Sequence, residues 1–195
     1  MAEIPRTIEL TDPRALRAVA HPVRLALIGA LRREGPLTAT RAGELIGESA
    51  TTCSFHLRQL AKYGLVEEAG GGRGRERPWQ ATAWFTSWPG AASDPQLAAA
   101  VELLNSVVAE RYFERVLRWL GRRAEDSPEW QEAAHFGDNV GYFTADELVK
   151  LGQRIDELLE PFGERLRRPE LRPPDARIVN FIRLAFPDEQ EPKEP

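Results

Sequence analysis

The residues best suited to chemistry lie on one face of a short predicted helix. Cys53, Leu57 and Leu60 are spaced i, i+4 and i+7, so they should face the core of this helix. Hydroxyl and guanidinium groups contact phosphates and base edges, and an aromatic ring can contact the thymine methyl group. The face therefore predicts contact with nucleic acid, although its phenylalanine could instead pack against the following hairpin or a neighbouring subunit. The residues of this face are Ser49, Thr51, Thr52, Ser54, Phe55 and Arg58.

A second basic element follows in a glycine-rich loop. Glycines at 70, 71, 72 and 74 surround Arg73 and Arg75, and Arg77 begins a stretch that alternates like a returning strand. An isolated loop arginine is usually a solubility charge, but arginines after a candidate DNA-contacting helix favour phosphate or minor-groove contact. A P-loop is not supported, because no Lys-Ser or Lys-Thr pair follows the glycines. We therefore add these three arginines to the predicted DNA contacts.

Catalysis and metal binding have no comparable support. The chain has 1 cysteine and 3 histidines, and His21, His56 and His135 are too dispersed for a metal site. Cys53 falls on the apolar helix face, where a thiol serves as a small buried hydrophobe. No nucleophile, base and acid occur together in a known catalytic pattern. We therefore predict that the chain is not an enzyme and uses no cofactor or metal.

The charge is distributed unevenly along the chain. The net charge is −4, which by itself argues mildly against a general nucleic-acid coat. Residues 1–88 contain 12 basic and 9 acidic side chains, a net charge of +3, whereas residues 89–195 contain 14 and 21, a net charge of −7. A basic half joined to an acidic half predicts two modules with different partners, divided between residues 88 and 89.

Helix signals before the polar face indicate which elements position it. A helix should begin after Asp12, and a second should follow the break at His21-Pro22 and end at Gly35-Pro36. Two short helices follow at about 38–46 and 49–63, and then a hairpin with the glycine-rich tip. This order predicts a winged helix-turn-helix domain over residues 1–88, in which the second helix of the turn enters the major groove.

Three segments resemble the ArsR-type winged helix-turn-helix repressors. They are AHPVRL at 20–25, TTCSFHLRQL at 51–60 and GLV at 64–66. The resemblance covers roughly residues 12–84 and implies a homodimer that binds a pseudo-palindromic operator and represses transcription. It also implies that the outward residues of segment 51–60 meet bases and phosphates, and that Arg73 and Arg75 meet the DNA backbone or minor groove.

The sequence departs from that family within the turn. Ala42 stands where leucine is usual, Gly43 where alanine is usual and Glu48 where an apolar residue is usual, so looser local packing is expected. The first helix of the turn contains no cysteine, so the thiolate sensor of the metal-responsive members is not expected. The resemblance is to the wider group of these repressors with a long C-terminal extension.

The acidic half should begin with a long helix. Asp94-Pro95 is typical of a helix start, and the apolar pattern continues to about Ala124. A helix of about 30 residues is roughly 45 Å long and needs partners on more than one side. A dimer interface and a central core helix within one subunit both satisfy this need.

The rest of the acidic half predicts a small α+β domain. Thr144 and Glu147 form a capping-box pattern for another helix, which Pro161 should kink or end near Glu160. Residues 177–186 alternate like a strand, which could pair with 130–136 or 140–143. The aromatic side chains either line an effector pocket or form the core, and core is the more common role of such residues. These aromatics are Trp119, Trp130, Phe136, Tyr142, Phe143 and Phe181.

The predicted fold class is mainly α with small β elements. The predicted function is sequence-specific regulation of transcription by a homodimer that binds double-stranded DNA. Repression is favoured over activation. The sequence leaves open whether a small-molecule effector binds. The alternative is a winged-helix module that binds protein. With neither a signal peptide nor a membrane helix in the sequence, we expect a cytoplasmic protein without a membrane partner.

Overall fold

The computed structural model describes residues 7–70 and 77–188 and is mostly helical. The predicted fold class, mainly helical with small β elements, is confirmed. The elements up to residue 87 are β1 (Thr7–Glu9), α1 (Pro13–Val19), α2 (Pro22–Glu34), α3 (Ala39–Ile46), α4 (Ala50–Ala61), β2 (Val66–Glu68), β3 (Trp79–Ala81) and β4 (Phe85–Ser87). The acidic half contributes α5 (Pro95–Leu120), α6 (Pro128–Ala133) and α7 (Ala145–Arg167).

Side-chain caps start the helices where the sequence predicts. The Asp12 carboxylate accepts a hydrogen bond from the N–H of Arg14 at 2.9 Å. Nδ1 of His21 accepts from the N–H of Val23 at 3.2 Å, so this histidine caps α2. Each cap satisfies a backbone donor that the first helical turn leaves unpaired. The breaks between α1, α2 and α3 therefore arise locally, from caps and prolines.

Two small sheets join distant parts of the chain. Strands β2 and β3 pair antiparallel, with Val66 opposite Ala81 and Glu68 opposite Trp79, and they form the base of the predicted wing. The backbone of Trp79 also pairs with that of Leu37 before α3. Strand β1 pairs with β4 in parallel. The sequence did not predict β1, because a three-residue strand is defined mainly by its distant partner.

The hydrophobic core extends beyond the position of the predicted domain boundary. Its side chains come from all of the first four helices and the wing. Ala100, Val101 and Leu104 of α5 are also buried in this cluster, where α5 packs against α1. Among the described residues, the buried core ends at Leu104. The first three turns of α5 thus attach the acidic half to the basic half.

Gly43 allows the turn between α3 and α4 to close tightly. Its carbonyl oxygen accepts hydrogen bonds from the N–H groups of Gly47 at 2.9 Å and Glu48 at 3.0 Å. A Cβ atom at position 43 would lie only 2.5 Å from the carbonyl oxygen of Glu48. The expectation that Gly43 loosens local packing is therefore wrong, because its missing side chain permits the close approach of the turn.

Replacing Gly43 by alanine should lower the free energy of unfolding by about 1–3 kcal/mol, since the turn must shift to admit the methyl group. Urea denaturation followed by circular dichroism would measure the loss. Gly152→Ala is the matched control, because position 152 lies within α7 with nothing within 4 Å of an added Cβ. That control should be neutral or stabilising by up to about 1 kcal/mol. Equal stability of Gly43→Ala and the unchanged protein would contradict the prediction.

Pro161 was expected to kink or end α7 near Glu160, and the structure excludes the end. The helix continues to Arg167 with the proline inside it. Pro161 has no N–H, so the carbonyl of Glu157 has no partner within the helix. Both residues are exposed, so this carbonyl is open to water. At the end of the helix, the Arg172 guanidinium donates to the carbonyls of Arg165 at 2.7 Å and Leu166 at 3.1 Å. These bonds stabilise the last turn and offset part of the cost of the proline.

The predicted strand at 177–186 is not present in the described chain. This segment has no regular secondary structure, and the candidate partner 130–136 is largely helical. Side chains attach the segment instead: Arg177 pairs with Asp126 at 3.0 Å, and Arg183 pairs with Asp156 at 3.1 Å. A strand requires a ladder with a neighbour, and none of the described residues supplies one. The expected α+β character of this half is therefore wrong for residues 89–188, the part of it that the structure describes.

The acidic half leaves large apolar side chains uncovered. Phe113 and Leu117 on α5 are 56% and 67% exposed, and Leu158 on α7 is 73% exposed. Such extensive exposure is unusual for a chain that works alone. The acidic half therefore has amphipathic helices without enough of its own chain to cover them.

Candidate nucleic-acid interface

The start and the buried face of α4 orient its polar side chains outward. The Ser49 hydroxyl accepts a hydrogen bond from the N–H of Thr52 at 3.0 Å and so caps the start of α4. Cys53, Leu57 and Leu60 have no exposed surface. Because these three side chains are one helical face, residues on the opposite face must point away from the core.

The structure brings the predicted α4 residues together on one outward face. Thr51, Phe55 and Arg58 are exposed, and Thr52 and Ser54 are partly exposed. The phenylalanine is 55% exposed, so an apolar ring is presented to solvent between polar neighbours. This combination of ring, hydroxyl and cation matches the groups that read the major groove.

Arg58 is held in place by its own helix. Its Nε donates to the carbonyl oxygen of Ser54 at 3.2 Å, and its Nη2 donates to the hydroxyl oxygen of Ser54 at 2.7 Å. No acidic side chain pairs with it in the described residues. The remaining guanidinium donors are therefore free to bind an anion.

Arg77 differs from Arg58 because it is already paired. Its Nη1 lies 2.7 Å from the Glu68 carboxylate across the base of the wing. The hydrogen bond and the charge of Glu68 raise the pKa of Arg77 above its usual value. Arg73 and Arg75, the other predicted wing contacts, lie outside the described residues. To contact a DNA phosphate, Arg77 must therefore first break its ion pair with Glu68.

An open cleft of about 300 Å³ separates α4 from the wing and the start of α3. Thr38 and Thr40 line it, and sequence reasoning did not include them among the DNA contacts. The Thr38 hydroxyl caps α3 by accepting from the N–H of Arg41 at 3.1 Å. A threonine cap before a helix is visible in sequence, but its position beside α4 depends on tertiary packing. The lining residues are Thr38, Ala39, Thr40, Ser54, Arg58, Glu68, Arg77 and Trp79.

Two histidine rings pack against each other beside the outward face of α4. The rings of His21 and His56 have centroids 4.5 Å apart, and the His56 ring lies edge-on to Phe55 at 5.2 Å. Nδ1 of His56 is buried without a hydrogen-bond partner in the described chain. Burial, then His21 and Arg24, lower the pKa of His56, and Glu48 offsets part of this effect. Burial and Arg24 also lower the pKa of His21.

This pair should make stability depend on pH below neutrality. Because the folded pKa values lie below the ordinary 6.5, the unfolded chain binds these protons more readily than the folded one. The stabilisation is complete above about pH 6.5 and is lost as the pH falls toward the folded pKa values. The urea midpoint should therefore be lower at about pH 5.5 than at about pH 7.5. His56→Gln should reduce that difference, whereas His135→Gln, at an exposed position, should preserve it.

Other chemistry finds no assembled site in the described parts of the chain. No three His, Cys, Asp or Glu residues converge there as metal ligands. Burial and the nearby Glu48 raise the pKa of Cys53, which keeps its thiol protonated and unreactive. Over the same residues, no helix combines the length and apolar character that a membrane crossing requires.

The aromatics predicted to form an effector pocket or the core are spread over the acidic half. None of the six belongs to the buried core cluster of the described chain, so the interpretation as core is wrong for a single copy. Trp119 lies beneath Arg123, and Trp130 lies beneath Arg177, in cation–π contacts of 5.6 and 4.8 Å. The other four, Phe136, Tyr142, Phe143 and Phe181, are exposed. The pocket among them stays a prediction.

Comparison with known families identifies the segment that carries this face. Residues 19–69 match a family model described as a helix-turn-helix domain. The chain contains a helix-turn-helix domain. This domain includes α2, α3 and α4 and ends just after β2, so the outward face of α4 is part of it. A helix-turn-helix domain supports a DNA-binding regulator, because its second helix is the element that enters the major groove.

Whole-chain comparisons add little to this result. A solved structure described as a possible transcriptional regulator for arsenical resistance is 23% identical and covers 58% of this chain and 97% of its own. Its TM-score of 0.32 is too low to support an argument about architecture or function. A comparison with curated proteins found no match. The helix-turn-helix domain and its exposed side chains are therefore the features that indicate function.

Proposed function

We propose that this protein is a sequence-specific transcriptional regulator that binds a pseudo-palindromic operator as a homodimer and represses transcription. The observation that carries the proposal is the outward face of α4, which presents Thr51, Phe55 and Arg58 from within a helix-turn-helix domain. The sequence motifs of this domain support an ArsR-type regulator with a long C-terminal extension. Repression would follow where the bound dimer covers a promoter.

In the proposed complex, α4 enters the major groove. Thr51 and Thr52 lie in its first turn, where the helix dipole favours a phosphate and short hydroxyl side chains can reach base edges. Arg58, two turns later, contacts phosphate, and Phe55 contacts a thymine methyl group. The wing arginines Arg73 and Arg75 add contacts to the backbone or minor groove.

The charge distribution supports separate roles for the two halves of the chain. Residues 1–88 carry a net charge of +3 and would contact DNA, and residues 89–195 carry −7 and would hold two copies together. The exposed apolar side chains Phe113, Leu117 and Leu120 recur at i, i+4 and i+7 along α5, which supports an interface between copies. A symmetric dimer would then present two α4 helices to two half-sites.

A gel-shift titration of the full chain on its own upstream DNA, at two salt concentrations, tests the proposal. Saturable binding that is lost with an unrelated sequence supports it. The Arg73→Ala, Arg75→Ala double variant should lower the salt slope by about one to two, at about 0.9 per phosphate contact. Equal binding to all sequences, or no binding, would overturn the proposal. Either result would favour the alternative, a winged-helix module that binds protein and does not recognise a DNA sequence.

A further inference from the structure

Four arginines from α2 and α5 lie close enough to one another to interact electrostatically. Arg33 lies at the end of α2, and Arg111, Arg115 and Arg118 are on α5. Arg33, Arg111 and Arg115 are half-buried. Among the described residues, the only carboxylate that acts on Arg111 is that of Glu114, which also pairs with Arg118 at 3.7 Å. Four positive charges and one negative charge leave this group at about +3, where the basic half meets the acidic half.

The cluster is electrostatically unfavourable in the free protein. Neither Arg33 nor Arg111 makes a hydrogen bond or ion pair within the described chain, and Arg115 bonds only to the uncharged amide oxygen of Asn180. Burial, and then the neighbouring arginines, lower the pKa values of Arg111 and Arg115. The end of α2 offers Arg33 a favourable helix dipole, but the α5 arginines lie within a helix and gain nothing comparable. Half-buried like charges of this kind are normally neutralised by a partner.

Gly29 lets two of these arginines approach each other. A Cβ atom at Gly29 would lie 3.2 Å from Nη1 of Arg33 and 3.8 Å from Nη2 of Arg111. The two guanidinium groups therefore converge over the backbone of α2 from different helices. Guanidinium groups bind carboxylates and phosphates through paired N–H donors, and two that converge can hold two oxygens of one anion.

We propose that Arg33, Arg111 and Arg115 form a binding site for a small anion with at least two negative charges, a phosphate or a polycarboxylate. The site is distinct from the α4 face and from the aromatics of the acidic half. It joins α2 to α5, and through Arg115 and Asn180 it reaches the C-terminal segment. An anion here would link the DNA-binding domain to the acidic half, a consequence that rests on the proposed function.

The test is a thermal-unfolding titration of the full chain without DNA. Inorganic phosphate and citrate are the two probes, and sodium chloride at equal ionic strength is the reference. At about a hundredfold excess over the dissociation constant, the melting temperature should rise by about 5 °C with at least one probe. The probe that acts distinguishes phosphate from carboxylate recognition. No rise beyond that in sodium chloride would overturn the proposal. Because no DNA is present, failure of the proposed DNA binding leaves this result unaffected.

Variants separate a binding site from a structural cluster. Arg111→Gln should raise the melting temperature without a probe, because it relieves like-charge repulsion, and should abolish the probe-dependent rise. Arg33→Gln should also abolish that rise, and it provides an independent variant if Arg111→Gln folds poorly. Arg154→Gln, an exposed arginine on α7, should keep the full response. An unchanged rise in both cluster variants would overturn the proposal.

A second copy of the chain could supply carboxylates to the cluster instead. Light scattering of Arg111→Gln and Arg33→Gln distinguishes this arrangement. An unchanged mass with loss of the probe response supports the anion site. Dissociation of the variants into single copies would overturn it, since the arginines would then pair across an interface.

Discussion

Arg58→Ala should weaken operator binding by about tenfold or more while leaving the stability of the free protein nearly unchanged. A hydrogen bond to a charged group contributes about 1.5–3 kcal/mol, and a symmetric dimer loses the phosphate contact of Arg58 in each half-site. In the free protein, the Arg58 guanidinium bonds only to Ser54 of its own helix in the described structure. The side chain is therefore positioned for a partner that the free protein lacks. Fluorescence anisotropy on labelled operator DNA would measure the change.

The control for Arg58 is Arg122→Ala, which removes an exposed arginine just after α5. It makes the same charge change far along the chain from the helix-turn-helix domain. We expect operator affinity within about twofold of the unchanged protein, because a distant surface charge acts only through a screened field. Equal losses in the two variants would show that net charge, and not the α4 face, determines affinity. That result would contradict the proposed recognition mechanism.

Leu117→Glu should dissociate the proposed homodimer, raising its dissociation constant by about a hundredfold or more. Leu117 is 67% exposed in the single chain and lies between Phe113 and Leu120 on one stripe of α5. Covering a leucine contributes about 1.5–3 kcal/mol, and twofold symmetry counts each loss twice. Sedimentation across a concentration series would measure the shift. Operator affinity should fall with it, because one copy reaches only one half-site.

Val140→Glu is the control for Leu117. Val140 is 92% exposed and lies between α6 and α7, outside the helical stripe. The same change from an apolar to an acidic side chain should leave the mass and the operator affinity as they are. If Leu117→Glu also left the dimer intact, the stripe on α5 would not be the interface. The exposed side chains of α7, such as Leu158, would then be the next candidates.

Local signals predicted most of the basic half. The caps at Asp12, His21 and Ser49 and the apolar spacing of Cys53, Leu57 and Leu60 each depend on residues within a few positions of one another. Such patterns are legible because capping and burial act over one or two helical turns. The outward face of α4 could therefore be named residue by residue. Thr38 and Thr40 were missed, because only the packing of α3 beside α4 brings them to the cleft.

Predictions that depended on distant partners succeeded less often. The alternation at 177–186 predicts a strand, but a strand exists only where another backbone completes its ladder. Pro161 predicts a kink or a helix end, but α7 continues to Arg167, and Arg172 supplies donors to its last carbonyls from beyond the helix. Gly43 suggests loose packing until the Glu48 carbonyl is found 2.5 Å from where a Cβ would be. In each case the deciding atom lies outside the pattern.

The sequence alone determined the order of helices, the helix-turn-helix motif, and the separation of a basic half from an acidic half. It could do so because helix caps, side-chain periodicity and charge are properties of neighbouring residues. Only the tertiary structure decided that α5 joins the core through Leu104, that Arg77 is paired with Glu68, and that Arg33 meets Arg111 over Gly29. These depend on where the chain folds back on itself, since burial and Coulomb forces act between atoms close in space and distant in sequence.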